Sequence, residues 1–310
     1  MSDITKTAVL GAGVIGASWT ALFLAAGKDV NVFDVSLTTR EDVEGYVAKA
    51  WPTLIELGLV TEERRGSLTF FDSAGEAVRG CGFVQENVPE QIELKHEIFS
   101  EIEPNLEPEA IVCSSASGLM VQEMQAGWKN PSRFILGHPF NPPHLIPLVE
   151  LLANEKTDED VLEIAEAFYR DVGKVTIRVN KEVPGHVANR LQAALWREAI
   201  HLVNEGVASV EDVDTAIWSG PGLRWAAMGP TMLFHLGAGK GGIDTFCERY
   251  TQSFNRWWDD LGDPRLNPDI ASKLARGARE EAGNATIEEL SATRDVLITA
   301  MLKSTKSLRS

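Results

Sequence analysis

A glycine-rich turn between two short apolar runs is the feature that most restricts how this chain can fold. The turn, Gly11–Gly16, has the spacing Gly-x-Gly-x-x-Gly and directly follows the apolar run Thr7–Leu10. A helix-like segment, Ser18–Ala26, comes next, and a second apolar run, Val30–Phe33, ends at Asp34. Strand, glycine turn, helix and strand in this order predict a compact β-α-β unit.

The same turn predicts a dinucleotide site. Gly11 permits the tight turn, Gly13 lets the backbone approach a pyrophosphate at the helix N-terminus, and Gly16 lets helix and strand pack closely. The Asp34 carboxylate would accept hydrogen bonds from the adenosine ribose and repel a 2′-phosphate, so NAD is favoured over NADP. Flavin is the competing cofactor, and a purely structural glycine turn is the alternative without a ligand. The residues predicted to contact the cofactor here are Gly11, Gly13, Val14, Ile15, Gly16 and Asp34.

The order of strand and helix signals divides the chain into two parts. The signals alternate until the pattern changes at Val183-Pro184-Gly185, beyond which apolar residues recur at helical spacing and strand signals are almost absent. We therefore predict an α/β Rossmann-type N-terminal domain over residues 1–182 and an all-α C-terminal domain over residues 183–310. Within the first part, helices are expected over residues 41–64 and Gly118–Ala126.

Charge and cysteine content exclude several classes of partner. The 310 residues carry a net charge of -16, which disfavours binding to nucleic acid and to anionic membrane surfaces. The sequence shows no signal peptide, no apolar run long enough to span a bilayer, and no His/Cys spacing typical of a metal site. Cys81, Cys113 and Cys247 lie far apart in apolar surroundings, which predicts buried free thiols in a reducing compartment. We expect a cytoplasmic protein that acts on a small molecule without a metal.

His138, in a Pro-rich stretch, is the strongest candidate for a catalytic base. Histidine has the side chain whose unperturbed pKa lies nearest to neutral, so it is the usual general base. Phe134–Leu136 and Ile146–Leu152 have the composition of short strands separated by a Pro-rich turn. If the chain folds back between them, His138 and Glu150 lie opposite each other, and the carboxylate can orient the ring and stabilise the imidazolium. A structural histidine is the alternative.

Several separate motifs resemble those of the 3-hydroxyacyl-CoA dehydrogenase superfamily, and the resemblance extends over nearly the whole chain. It implies a Rossmann-type domain, a helical domain that builds a homodimer, and NAD-dependent oxidation of a hydroxyl group. The motifs are Gly11–Gly16, Glu86-Asn87-Val88-Pro89-Glu90, Ser114-Ser115-Ala116-Ser117-Gly118-Leu119, Gly137–Pro143 with Glu150, and Val183-Pro184-Gly185 running into Asn189-Arg190.

The resemblance also implies roles for individual residues. It makes His138 the catalytic base and Glu150 its partner carboxylate, and it places Ser117 and Asn189 where they hydrogen-bond the substrate's oxygen near the base. Further positions implied at the cofactor are Asn87, Glu90 and Lys95, and the one implied near the nicotinamide and substrate is Asn141.

Ordinary structural roles remain open for several of these residues. Ser117 could be the N-cap of a helix, and Asn189 could bond only solvent. Glu90 and Lys95 could form a solvated surface pair. His144 is expected at the surface, and no other histidine is assigned a catalytic role.

The helical half bears on the choice of substrate. Its segment Gly220–Pro230 resembles the branch of the superfamily that contains L-carnitine dehydrogenase and L-gulonate 3-dehydrogenase, and Trp257-Trp258 with Asp263–Leu266 look more like the carnitine side. Arg224 is the candidate for binding a substrate carboxylate and Trp225 for packing on the other end of the substrate. A structural ion pair and a core or interface position are the respective alternatives.

We therefore expect NAD-dependent oxidation of a free 3-hydroxy acid, with L-carnitine to 3-dehydrocarnitine as the leading reaction. L-gulonate or another polar 3-hydroxy acid, and a short 3-hydroxyacyl-CoA, are the alternatives within the same class. A non-catalytic protein of this fold, as lambda-crystallin is, belongs to a different class and predicts erosion of the catalytic set. Ser117, His138, Asn141, Glu150 and Asn189 are all present, which favours an enzyme.

Overall fold

The computed structural model describes residues 4–36, 38–60 and 65–309, with residues 306–309 described by backbone alone. The helix expected over residues 41–64 is α2 (Thr39–Glu56), and the end of that expected range, residues 61–64, lies outside the described residues.

Contacts divide the chain into two compact units. One comprises the chain up to Ala188 together with Leu297–Lys303, and the other comprises Asn189–Val296 and the residues from Ser304 onward. Residues 183–188, which were expected in the helical domain, therefore group with the first unit.

The first unit is built on one eight-stranded sheet. Its strands are β1 (Lys6–Leu10), β2 (Asp29–Phe33), β3 (Leu68–Phe71), β4 (Phe83–Glu86), β5 (Ile111–Ser114), β6 (Phe134–Pro139), β7 (Leu148–Leu152) and β8 (Val175–Arg178). Their order across the sheet is β3-β2-β1-β4-β5-β6-β7-β8. The strands from β1 to β6 are parallel, β7 runs antiparallel to β6, and β8 runs parallel to β7. The order reverses between β1 and β4, and in such sheets ligands bind there, outside the carboxyl ends of the strands.

Helices cover both faces of this sheet. They are α1 (Val14–Ala25), α2 (Thr39–Glu56), α3 (Ala74–Ala77), α4 (Ile92–Ile102), α5 (Val121–Gln125) and α6 (Val161–Asp171). On β1, Val9 packs in a core cluster with Phe23 of α1 and Phe168 of α6, whereas Leu10 belongs to a second cluster with Phe99 of α4. Burial on both faces explains why the strand is apolar without alternation. The predicted Rossmann-type α/β domain is confirmed.

The rest of the described chain is helical and contains no strand among its described residues, as predicted for an all-α C-terminal part. Its helices are α7 (Ala188–Asn204), α8 (Val210–Ser219), α9 (Pro221–Ala227), α10 (Pro230–Gly237), α11 (Gly242–Asp260), α12 (Pro268–Ala282) and α13 (Ile287–Arg309). The short helix α9 was not expected from the sequence, although Pro221 in its first turn is typical of a helix start. None of the helices described is both long and apolar enough to cross a membrane.

Two local expectations are wrong. The helix expected over Gly118–Ala126 is confined to α5, so it begins three residues later than predicted, at Val121. Cys81 and Cys113 are buried, and burial raises the pKa of the Cys81 thiol to about 12 and that of Cys113 further still. Cys247, however, is exposed on α11, because the apolar residues around it in the sequence do not enclose it within its own unit.

Candidate active site

The antiparallel pairing of β6 with β7 brings His138 and Glu150 together. The two residues are direct partners in the strand register. Their side chains meet with His138 Nδ1 2.9 Å from Glu150 Oε2, and both are buried, at 4% and 0% exposure. The pairing predicted from a chain that folds back between two short strands is therefore present.

The hydrogen bonds of His138 define which ring nitrogen can act as a base. An ionised carboxylate only accepts hydrogen bonds, so Nδ1 must carry the proton that it shares with Glu150. In the neutral ring Nε2 is then unprotonated, and Ser117 Oγ lies 3.1 Å from it. A substrate hydroxyl placed at Nε2 could therefore give its proton to His138 and hydrogen-bond the Ser117 hydroxyl at the same time.

Ser117 is held by Glu90 and is not a helix cap. Glu90 Oε1 accepts hydrogen bonds from the backbone N–H groups of Ser117 and Gly118, the second at 3.0 Å. The N-cap position of α5 belongs to Met120 instead. The Glu90 carboxylate therefore fixes the loop from which Ser117 reaches His138.

Glu150 has a second function in the structure. Its other oxygen, Oε1, accepts hydrogen bonds from the N–H groups of Val187 and Ala188, both at 2.9 Å. These amides lie at the start of α7, where backbone N–H groups lack partners within the helix. One buried carboxylate thus orients the candidate base and anchors the turn that follows Pro184.

The glycine-rich turn has the geometry that a bound pyrophosphate needs. Gly11 has φ +79°, and a Cβ there would lie 2.7 Å from the Asn87 carbonyl carbon. At Gly16 a Cβ would lie 1.9 Å from the Gly11 oxygen. At Gly13 a Cβ would meet nothing within 4 Å among the described residues, and no side chain caps α1 there. The open space and the free helix N-terminus fit a phosphate group.

Asp34 and Asn87 flank this turn at the ends of β2 and β4. Asp34 Oδ2 accepts a hydrogen bond from Ala12 N at 2.6 Å, which ties the carboxylate to the glycine turn. Asn87 N donates to Leu10 O at 2.7 Å and its Oδ1 accepts from Ser115 Oγ at 2.7 Å. Both residues lie just beyond the carboxyl ends of their strands, near the point where the strand order reverses. Sheets of this kind bind dinucleotides at that position.

Replacing Asp34 with Ala is expected to raise the Kd for NADH about 10–100-fold, since a hydrogen bond to a charged group contributes about 1.5–3 kcal/mol. The measurement is a titration of NADH fluorescence. Asp160→Ala makes the same substitution at a surface ion pair with Arg133 and serves as the control. Equal affinities of the two variants for NADH would contradict the role of Asp34.

Lys95 is not at the surface, and the alternative of a solvated Glu90–Lys95 pair is wrong. Its side chain is 1% exposed, and its Nζ lies 2.6 Å from Glu86 Oε1 and 3.0 Å from Val88 O. Glu86, which is fully buried, also accepts from Ser114 Oγ at 2.6 Å. The Lys95 ammonium group therefore joins α4 to the end of β4, and Glu86 in turn joins the ends of β4 and β5.

The remaining predicted residues are placed as follows. Asn141 is exposed in the turn after β6. Asn189 lies on the first turn of α7, while Arg224 and Trp225 are exposed on α9, in the second unit. Arg224 makes no ion pair with any residue that the structure describes.

Two residues that brace the turn after β6 were missed from the sequence. His144 is 7% exposed, contrary to expectation, because its Nδ1 lies 2.9 Å from Ser18 Oγ on α1. Lys174 Nζ donates to the carbonyls of Pro143 and Ile146, both at 2.6 Å, and burial lowers the pKa of Lys174 to about 7. Both contacts join residues far apart in sequence, and no local pattern reveals them.

A third missed residue, His186, lies beside the candidate base. Its ring centroid is 5.3 Å from that of His138, and the side chain is 2% exposed. It directly follows the Val183-Pro184-Gly185 motif, and that position is the one sequence signal that could have drawn attention to it.

Two family models match the chain. The one described as 3-hydroxyacyl-CoA dehydrogenase, NAD binding domain, matches residues 6–183. The one described as 3-hydroxyacyl-CoA dehydrogenase, C-terminal domain, matches residues 185–268. The first match confirms NAD as the cofactor, as inferred from Asp34.

Curated relatives match nearly the whole chain. A protein from Streptomyces coelicolor named L-carnitine dehydrogenase is 40% identical over 306 residues, which cover 99% of this chain and 96% of that protein. A protein of the same name from Oceanobacillus iheyensis is 38% identical over 297 residues, which cover 96% and 97%.

Solved structures share the fold over most of the chain. A 5-formyl-3-hydroxy-2-methylpyridine 4-carboxylic acid 5-dehydrogenase, described as an NAD+-dependent dismutase, has a TM-score of 0.83 at 30% identity, with 99% of both chains covered. The (S)-3-hydroxybutyryl-CoA dehydrogenase of Ralstonia eutropha has a TM-score of 0.65 at 26% identity, with 89% of this chain and 95% of that chain covered.

Proposed function

The chain belongs to the 3-hydroxyacyl-CoA dehydrogenase family of NAD-dependent oxidoreductases that act on a CH–OH group, and we propose that it oxidises L-carnitine to 3-dehydrocarnitine. The observation that carries the proposal is His138, whose Nδ1 is fixed by Glu150 and whose Nε2, the nitrogen left to act as a base, lies 3.1 Å from the Ser117 hydroxyl. The choice of L-carnitine as substrate is supported by the relatives from Streptomyces coelicolor and Oceanobacillus iheyensis, which are named L-carnitine dehydrogenase and match nearly the whole chain.

The residues of the first unit supply the proton chemistry. The Gly11–Gly16 turn and Asp34 would hold NAD, which would supply the acceptor for the hydride of the carbinol carbon. His138 accepts the hydroxyl proton at Nε2, and Glu150 stabilises the resulting imidazolium through Nδ1. The Ser117 hydroxyl hydrogen-bonds the substrate oxygen as it becomes a carbonyl. Glu90 fixes the backbone at Ser117, and Glu150 fixes both the His138 ring and the start of α7. The His138 and Ser117 side chains are therefore oriented before the substrate arrives.

Further substrate contacts are proposed from sequence position. Asn189 is the second residue proposed to bond the reacting oxygen, and Asn141 is proposed to lie near the nicotinamide and the substrate. Arg224 is proposed to bind the carboxylate of the 3-hydroxy acid, and Trp225 to pack against its other end. The free guanidinium of Arg224, which has no ion pair within the described part of the chain, favours this role over a structural one.

The alternatives differ in what the substrate carries. A coenzyme A thioester brings several phosphate charges, which a chain of net charge -16 does not favour. L-gulonate is a free 3-hydroxy acid but lacks the cationic group that aromatic side chains recognise. The hypothesis of a non-catalytic protein is disfavoured because His138 is hydrogen-bonded to Glu150 and lies beside Ser117, as a general base requires.

A substrate panel tests the proposal. The purified protein is mixed with NAD and, separately, L-carnitine, L-gulonate or 3-hydroxybutyryl-CoA, and NADH is followed by absorbance. We expect the highest kcat/KM with L-carnitine, and a lower rate when NADP replaces NAD. A preference for either other compound would refute the substrate assignment. If none of the three compounds gives NADH while the protein still binds NADH in a separate titration, the result would favour the non-catalytic alternative.

We also propose that the protein is a cytoplasmic homodimer. Its second unit exposes large apolar side chains, and such surfaces mark sites of association. Trp196, Trp218, Trp257 and Trp258 are each more than half exposed. Free buried thiols at Cys81 and Cys113 favour a reducing compartment. Light scattering should give twice the mass of one chain, and the mass of a single chain would refute the dimer.

A further inference from the structure

His186 is a buried polar side chain without a partner. It is 2% exposed, yet neither Nδ1 nor Nε2 makes a hydrogen bond with any residue that the structure describes. The Ala116 carbonyl lies near the ring but does not meet the geometry of a hydrogen bond. Nearly all buried polar side-chain atoms have a partner, so an unpaired imidazole requires an explanation.

The backbone holds His186 in this position. Its φ is +50°, in the left-handed region, and it follows Gly185 at φ +75°. The His186 N–H donates to Val183 O at 3.0 Å, and the next two amides donate to Glu150 Oε1. The same carboxylate therefore orients His138 and anchors the turn that carries His186. Uncommon backbone conformations of this kind cluster at functional sites.

The surroundings keep the His186 ring neutral. Burial and the neighbouring His138 lower the pKa of His186, and the opposing influences of Glu150, the Ala116 carbonyl and Glu90 are together smaller. A neutral imidazole has one N–H donor and one acceptor nitrogen. Beside a base that gains a proton in the reaction, a neutral donor adds no further repulsion between charges.

The distance to His138 indicates which substrate group can reach this donor. The two ring centroids are 5.3 Å apart with the planes inclined by 52°. In a 3-hydroxy acid the carboxylate carbon is two bonds from the carbinol carbon. With the hydroxyl at His138 Nε2, a carboxylate two bonds from the carbinol carbon would be within reach of a ring whose centroid is 5.3 Å from that of His138.

We propose that His186 binds the carboxylate of the substrate through a ring N–H, and so selects compounds with an acidic group two carbons from the reacting alcohol. The inference rests on the proposed function for the identity of the substrate. A carboxylate accepts about four hydrogen bonds, so this contact is compatible with the one proposed for Arg224.

Three variants of His186 test the proposal by steady-state kinetics with L-carnitine. His186→Phe keeps an aromatic ring but has no donor, whereas His186→Asn and His186→Gln restore an N–H at the positions of Nδ1 and Nε2. His186→Phe should lower kcat/KM about 10–100-fold, mainly through KM, as expected for a hydrogen bond to a charged group. One of the two amide variants should recover most of that loss, and the KM for NAD should stay unchanged.

Two ligands separate the carboxylate contact from a structural role. With (2-hydroxypropyl)trimethylammonium, which is carnitine without its carboxylate, wild type and His186→Phe should have equal kcat/KM. With γ-butyrobetaine, which is carnitine without its hydroxyl, calorimetry in the presence of NADH should show a 10–100-fold weaker affinity of His186→Phe. Equal affinities for γ-butyrobetaine, or a matching loss of melting temperature and NADH affinity in all three variants, would overturn the proposal.

The same experiments distinguish failure of this inference from failure of the proposed function. If the wild type prefers L-gulonate, the proposed substrate is wrong, but L-gulonate carries the same carboxylate and the comparison of variants is made with it. A preference for 3-hydroxybutyryl-CoA overturns both proposals, because a thioester has no carboxylate at that position. Efficient oxidation of L-carnitine with equal KM in wild type and His186→Phe overturns the inference alone.

Discussion

Replacing His138 with Gln is expected to lower kcat by about 10²–10⁴-fold, the usual contribution of a general base. Glutamine keeps a polar group near Glu150 but has no nitrogen that can accept a proton at neutral pH. The loss should appear in kcat, because the hydroxyl proton is transferred in the transition state. Affinity for NADH should be unchanged, since His138 lies on β6 and the glycine turn follows β1.

The decisive measurements are kcat with L-carnitine, the Kd for NADH and the melting temperature. His96→Gln is the matched control, because it makes the same substitution at a histidine on α4 whose Nε2 lies 2.8 Å from the Glu123 carbonyl oxygen. His96→Gln should retain the wild-type kcat. Retention of wild-type turnover by His138→Gln would refute its assignment as the base, and loss of NADH binding would show that the effect is structural.

The His138–Glu150 pair was predictable because its geometry is local. Two short strands joined by a Pro-rich connection, residues 140–147, pair antiparallel, and the residues opposite each other follow from the point at which the chain folds back. The Gly11–Gly16 turn was predictable for a similar reason, since strand, turn and helix are consecutive and a Cβ at Gly11 or Gly16 would clash with the backbone.

The support of Ser117 was not predictable, because it depends on contacts between distant segments. Glu90 holds the Ser117 amide, and the two residues lie on loops that follow β4 and β5. The sequence could suggest only that Ser117 precedes a helix. It could not show that the carboxylate of Glu90, which follows a neighbouring strand, accepts hydrogen bonds from the Ser117 and Gly118 amides.

The burial of His144 and His186 was missed for the same physical reason. Pro-rich and Gly-containing stretches read as surface loops, and polar residues within them are expected to face solvent. Ser18 on α1 provides a partner that buries His144, and Glu150 anchors the turn that buries His186. Tertiary packing decided both positions.

Replacing Lys95 with Met is expected to lower the free energy of unfolding by about 3–5 kcal/mol, the usual effect of removing one member of a buried ion pair. The side chains of Lys95 and Glu86 are 1% and 0% exposed, with Nζ 2.6 Å from Oε1. Without Lys95, the donors that remain to the Glu86 carboxylate among the described residues are uncharged, Val88 N at 2.7 Å and Ser114 Oγ at 2.6 Å. A buried charge is then left without an opposite charge, and the folded state is destabilised.

Urea unfolding of single and double variants separates this cost from lost packing. Glu86→Gln removes the charge that Lys95 leaves unpaired, so the Lys95→Met/Glu86→Gln variant should lose less stability than the sum of the two single changes. Lys303→Met breaks an exposed ion pair in which the side chains of Lys303 and Glu56 are 49% and 53% exposed. This change should lower the free energy of unfolding by under about 1 kcal/mol. Additive losses would contradict a coupled pair. If Lys95→Met keeps the stability of the wild type but binds NAD more weakly, the result would instead favour the cofactor-lining role implied by the resemblance. This one substitution therefore decides whether Lys95 stabilises the fold or lines the cofactor pocket.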